Sequence, residues 1–153
     1  MSRGIPLTDA DREPWLQLLR ATAEHMVVEQ RADPAFSRRE GALITCSALR
    51  RYYRDILRGT WRPKAGPEHL EPPAHPDVIP TYFVFIKGDK DLLMQRIEQR
   101  SGHFMKSNML ESQFRTLESP EGEEGVVVVS AEDDTEKQVQ DAVDGLAKLV
   151  GPL

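Results

Sequence analysis

Residues 42–58 read ALITCSALRRYYRDILR, and the order of residue types in this stretch decides the fold class. Ala42–Cys46 is a short apolar run with β-branched members. It predicts a strand buried on both faces, as in a parallel sheet. Ser47 offers an N-cap, and the spacing predicts a helix over 48–58. Leu49, Tyr53 and Ile56 recur on one face of that helix, and Arg50, Arg54 and Arg58 on another. In open parallel sheets ligands bind beyond the carboxyl ends of the strands. A helix N-terminus there offers unpaired N–H donors and a positive dipole end, which suit a phosphate or carboxylate. Arg50 and Arg54 would add bidentate, permanently charged donors.

Working outward, Thr81–Ile86 and Val126–Val129 are two further apolar runs, each predicted as a buried strand. Asp11 is the expected N-cap of a helix reaching about Gln30, with Pro14 in its first turn. Trp15, Leu18, Leu19, Thr22 and Met26 recur along that helix. Asp89 is expected to cap a helix to about Arg100. Another covers Met109–Leu117, with Leu110, Phe114 and Leu117 on one side. Thr135-Glu136-Lys137-Gln138 reads as a capping box. It opens a helix carrying Val139, Val143, Leu146 and Val150, stopped by Gly151-Pro152. The alternation of element types predicts α/β architecture in a single domain over 1–153. Residues 59–80, with six prolines, form an irregular insertion.

The chain has 153 residues, 39% hydrophobic and 29% charged, with a net charge of −5. Its acidic balance argues against a general nucleic-acid binder. No apolar run approaches the ~20 residues of a membrane helix, and the first residues show no apolar signal segment. Cys46 is the one cysteine, so an internal disulfide and a cysteine-based metal site are excluded. A reducing, cytoplasmic compartment is expected. Charge is unevenly placed. Between Leu49 and Lys64 stand six cations and one acid, and between Glu118 and Glu136 eight acids and no cation. Such runs are ordinarily solvated faces; the sharper reading of the basic one is an anion site. A second cationic group is Arg96, Arg100, His103 and Lys106, where Gly102 permits a bend, so these side chains could close over a polyanion as a lid. The third group is Asp9, Asp11 and Arg12 at the start of the first helix.

Four segments carry a family resemblance. Gly4–Leu16, GIPLTDADREPWL, resembles the G-x-P-L-x-D-x-D-R-x-P-W-L segment of gluconokinases. Ile44–Arg58 resembles their C-S-A-L-K-x-x-Y-R-D-x-L-R segment, with Arg50 where many members have Lys. Arg100–Lys106 and Leu110–Pro120 resemble their lid and the segment after it, within a lid-like region over 96–120. The Pro-rich connection before Thr81 is similar to that of fungal members. The resemblance implies a P-loop kinase-type parallel sheet flanked by helices. It implies phosphorylation of D-gluconate by ATP with Mg²⁺ to give 6-phospho-D-gluconate, and it is compatible with a homodimer. It puts Asp9, Arg12, Arg50 and Arg54 on the substrate side, and Arg96, Arg100, His103 and Lys106 on the lid and nucleotide-phosphate side. No metal ligand is assigned.

The family's G-x-x-x-x-G-K-S/T does not occur among these residues, so the sheet is expected to lack the central P-loop strand. In the resemblance that strand lies between the one at 43–46 and the one at 82–86. The alternative reading is an inactive shortened form that binds substrate or a partner chain. That motif cradles the phosphates, and phosphoryl transfer rests almost wholly on positioning and charge stabilisation. The 153 residues alone are therefore expected to show no measurable gluconate-dependent ADP release in a coupled assay. Turnover near that of an intact family member would contradict this.

Overall fold

The computed structural model describes residues 7–61, 79–99 and 107–151. The chain forms two compact units, one of Thr8–Thr81 and one that holds residues 82–151.

The first unit is built on helix α1, Asp9–Ala32, and helix α2, Arg51–Arg58. Thr8, not Asp11, is the N-cap of α1. The Thr8 hydroxyl accepts from the Asp11 amide at 3.3 Å, and the Asp11 carboxylate accepts from the Thr8 amide at 2.8 Å. This capping box places Asp11 in the first turn and Pro14 inside the helix. Two apolar stripes run along α1, and they have different fates. Leu16, Ala23 and Val27, with Arg20 among them, are buried. Leu18 of the expected stripe is 58% exposed, and Trp15 and Met26 are exposed too. Helix α2 packs on α1 through Tyr53, Ile56 and Leu57, all buried.

Residues 42–46 do not form a strand. They carry no regular secondary structure, and Leu43 is fully exposed. An apolar run becomes a strand only where a neighbour takes up its N–H and C=O groups, and no strand among the described residues pairs with it. The helix after it starts at Arg51 rather than Ala48. Its N-cap is Arg50, without a side-chain capping bond, so Ser47 does not cap it. Gly59 ends α2 in the left-handed region, at φ 75°.

In the second unit, β1 (Phe83–Lys87) and β2 (Val126–Ser130) form a two-stranded parallel sheet. Phe83 pairs with Val126 and Lys87 with Ser130, so both predicted runs hold strands, but they are not buried as predicted: Val84, Ile86 and Val128 are exposed, because only two strands pair among the described residues. Parallel strands need a long crossover. Here it includes α3, Lys90–Gln99, and α4, Ser107–Thr116. Lys90 of α3 meets Glu111 of α4 at 3.1 Å. Helix α5, Thr135–Val150, packs on β2. Its N-cap is Asp134, which accepts from the Lys137 amide at 2.8 Å, and not the predicted Thr135 box. Val139 and Val143 of its expected apolar stripe are exposed.

Helix α5 approaches β2 closely at Gly145, where an added Cβ would lie 2.4 Å from Val127 Cγ1. Gly145→Ala should therefore destabilise this unit by ~1–3 kcal/mol, the usual range for overpacking. Gly41→Ala is the control, since nothing lies within 4 Å of a Cβ there. Thermal melts of the two variants check this; equal midpoints would refute the packing argument.

Candidate functional site

The basic segment and the start of α1 meet within the first unit. Asp9 is the first residue of α1, and Arg12 follows one turn later. Arg50 is the residue at which α2 begins, and Tyr53 lies in its first turn. The Asp9 carboxylate accepts on both oxygens. Arg50 Nη1 donates to Oδ2 at 2.9 Å, and the Tyr53 hydroxyl donates to Oδ1. The Tyr53 oxygen in turn accepts from Arg12 Nη1 at 3.4 Å, and the Arg12 guanidinium lies 5.8 Å from the Tyr53 ring centroid. Arg50 therefore meets the carboxylate directly, and Arg12 meets it through the Tyr53 hydroxyl. The cluster stands on two packed helices, which hold side chains more tightly than loops do.

Arg54 takes a different place from the one its spacing suggests. It is 1% exposed rather than on a solvated face with Arg50 and Arg58. Its Nη1 donates to the carbonyls of Ala48 and Leu49, at 2.8 and 3.3 Å. It ties the irregular stretch before α2 to the helix itself. Arg96 is exposed in the last turn of α3. Arg100, His103 and Lys106 lie outside the described residues.

Tyr53 is the site residue that helical spacing hid, because it reads there as one more member of an apolar face. The signal was its hydroxyl: a buried tyrosine O–H ordinarily finds a partner, and the nearby segments are rich in charge. Tyr52 packs edge-on against the Tyr53 ring, with centroids 4.5 Å apart, and Trp61 lies 5.8 Å from Tyr52. Burial, followed by the neighbouring Asp9 carboxylate, raises the Tyr53 hydroxyl above its ordinary pKa. Burial also pushes the Cys46 thiol up, which disfavours a reactive thiolate.

No family model matches the chain. The thermoresistant gluconokinase of Escherichia coli is 36% identical over 149 residues, 97% of this chain and 70% of that protein. The gluconokinase of Gluconobacter oxydans is 39% identical over 132 residues, 86% of this chain and 60% of that protein. A crystal structure of a gluconokinase from Sinorhizobium meliloti superposes with a TM-score of 0.70 at 36% identity, covering 97% of this chain and 69% of that one. A sugar kinase from Janibacter superposes with a TM-score of 0.69 at 34% identity. The fold is thus that of the sugar kinases of the P-loop class. Within that class, the chain belongs to the gluconokinase family, and it spans between about half and 70% of the length of the relatives it matches.

Asp9 titrates below the ordinary carboxylate range. The Tyr53 hydrogen bond is the main cause, with Arg50 and Arg12 adding to it against a partial desolvation that raises it. A group whose pKa is depressed on folding contributes stability above its unfolded value, and that contribution is lost as pH falls through the folded value. The stability of the parent chain should therefore fall faster than that of Asp9→Asn as pH drops below about 4. Urea midpoints measured across that range check it; parallel profiles would remove the charge from the account.

Proposed function

We propose that the whole protein phosphorylates D-gluconate at the expense of ATP, giving 6-phospho-D-gluconate, and that the Asp9–Arg12–Arg50 cluster receives the sugar acid. The observation that carries this is the gathering of Arg50 and Arg12 about Asp9, one directly and one through the Tyr53 hydroxyl, in a chain of the gluconokinase family. Arginine forks match a carboxylate or phosphoryl group bidentately. In this reading Asp9, Arg12 and Arg50 hold the substrate end. Arg54 contributes by fixing the backbone that leads into α2. Arg96, with Arg100, His103 and Lys106, serves the nucleotide phosphates from the lid.

The reaction moves the γ-phosphoryl group of ATP to a gluconate hydroxyl. The bond to the β-phosphate oxygen breaks, a phosphorus–oxygen bond to gluconate forms, and the hydroxyl proton leaves. ATP is the co-substrate. Mg²⁺ accompanies it in such chemistry and would supply neutralisation of the phosphate charge. A cytoplasmic setting, expected from the single cysteine, belongs to the same reading, as does a homodimer.

Calorimetric titration of the 153-residue protein separates this reading from a neutral-sugar site. D-gluconate should bind saturably, and D-glucitol, which lacks the carboxylate, should not. Arg50→Ala should weaken gluconate binding by about tenfold or more, since a hydrogen bond to a charged group is worth ~1.5–3 kcal/mol. Equal binding of the two ligands, or an Arg50→Ala variant that binds as well as the parent, would overturn it.

A further inference from the structure

We infer that Tyr53 is a positioning residue for the anion site: its hydroxyl sets the Asp9 carboxylate, and through it the two arginines, in the geometry that receives the substrate's charged end. The inference deepens the gluconate reading above and rests on it for the identity of the ligand.

The geometry is specific. Tyr53 is fully buried, so its hydroxyl must be satisfied inside the protein. It is satisfied twice, as a donor to Asp9 Oδ1 and as an acceptor from Arg12 Nη1. One oxygen thus links an anion on the first residue of α1 to a cation one turn further along. The other oxygen of Asp9 holds Arg50 at 2.9 Å, at the entrance to α2. The Asp9 and Arg50 side chains are about 40% and 37% exposed. A half-exposed ion pair between flexible side chains is weakly held on its own. The fixed part is the tyrosine: its ring is buried and wedged edge-on against Tyr52, which lies beside Trp61.

The chemistry follows from that contrast. With Tyr53 in place, the Asp9 carboxylate cannot swing, and Arg50 has one acceptor in one position. Arg12 is kept beside the tyrosine oxygen and over its ring, not folded back onto Asp9. Arg50, with Nη1 engaged by Asp9, then presents its guanidinium to an incoming carboxylate in a fixed arrangement, so less conformational freedom is lost when the ligand binds. Without the Tyr53 hydroxyl, Asp9 keeps only its side-chain hydrogen bond with Tyr52 against the pull of Arg12 and Arg50, and the arginines can close on it.

The test combines Tyr53→Phe, Asp9→Asn and the double variant with two readouts. One is D-gluconate affinity by calorimetry. The other is the Asp9 side-chain titration by carbon-detected NMR, followed in the parent and in Tyr53→Phe. Tyr53→Phe should keep its melting temperature within a few degrees, raise the Asp9 midpoint, and weaken gluconate binding by about tenfold, the value of one such hydrogen bond. The double variant should bind no more weakly than Asp9→Asn alone, because the hydroxyl acts through that carboxylate. Additive losses would overturn the inference, as would an Asp9 midpoint unmoved by Tyr53→Phe. If the parent protein takes up no gluconate, the substrate reading fails. Tyr53 is then judged by the titration alone, where a raised Asp9 midpoint sustains its positioning role and an unmoved one ends it. If Tyr53→Phe does not fold, Asp9→Asn decides: gluconate affinity equal to the parent's would overturn the inference.

Discussion

The guanidinium of Arg20 is the constraint around which the first unit is organised. It is buried in the middle of α1, on the stripe between Leu16 and Ala23. A buried charge is costly unless it is paired and hydrogen-bonded. Glu24, one turn along, meets Nε at 2.6 Å. Nη1 donates to the carbonyls of Leu57 and Ile79, both at 3.0 Å, and to the Thr81 hydroxyl at 2.8 Å. Leu57 is near the end of α2, while Ile79 and Thr81 lie just ahead of Tyr82. One planar fork therefore fixes α1 against the end of α2 and also fixes where the chain arrives after the Pro-rich connection. Gly59 serves the same arrangement. It turns the chain in the left-handed region, and a Cβ there would lie 3.5 Å from the guanidinium carbon. Among the described residues Nη2 has no hydrogen-bond partner, a desolvation cost that the other four contacts must outweigh.

The anion cluster depends on that crossing. Asp9 and Arg12 belong to α1, while Arg50 and Tyr53 belong to α2 and its cap. Neither helix carries the cluster alone, and α2 is only eight residues long. A helix that short is not stable by propensity. It is held by burial of Tyr53, Ile56 and Leu57, by Arg20 at its end, and by Arg54 at its beginning. The two buried arginines thus bracket the helix that presents Arg50 and Tyr53. The connection over 59–80, which reads in the sequence as an insertion without function, has residues on either side of it fastened to the same guanidinium.

What was legible in the sequence divides along a physical line. Thr81–Ile86 and Val126–Val129 read as buried strands; β1 and β2 do pair in parallel, but Val84, Ile86 and Val128 are exposed. Ala42–Cys46 gives the same apolar signal, yet Leu43 is fully exposed. Hydrophobic content marks a segment that can be a strand; pairing decides whether it is one, and pairing is not local. Helix α1 presents two apolar stripes, and periodicity alone cannot tell which one α2 will cover. Asp9, Arg12 and Arg50 stood out as charged residues in suggestive places, and the structure brings these three together. Arg54 and Tyr53 depart from their helical faces in opposite senses. The arginine on a seemingly polar stripe is buried against carbonyls, and the tyrosine on a seemingly apolar stripe carries the polar contact. In both cases the side chain's long-range partner, not its helical spacing, sets its role.

The state of Asp9 narrows what the cluster does in the proposed reaction. A general base must have a free lone pair aimed at the proton it takes and a pKa near the working pH. Each Asp9 oxygen already accepts a hydrogen bond from the protein, and its pKa is displaced downward, away from neutrality. Its chemistry is that of a fixed counter-charge. Phosphoryl transfer asks little covalent work of the protein and much positioning and charge stabilisation. A carboxylate hydrogen-bonded to Tyr53 and Arg50 would meet that demand from behind: it holds one guanidinium directly and the other through a neutral hydroxyl.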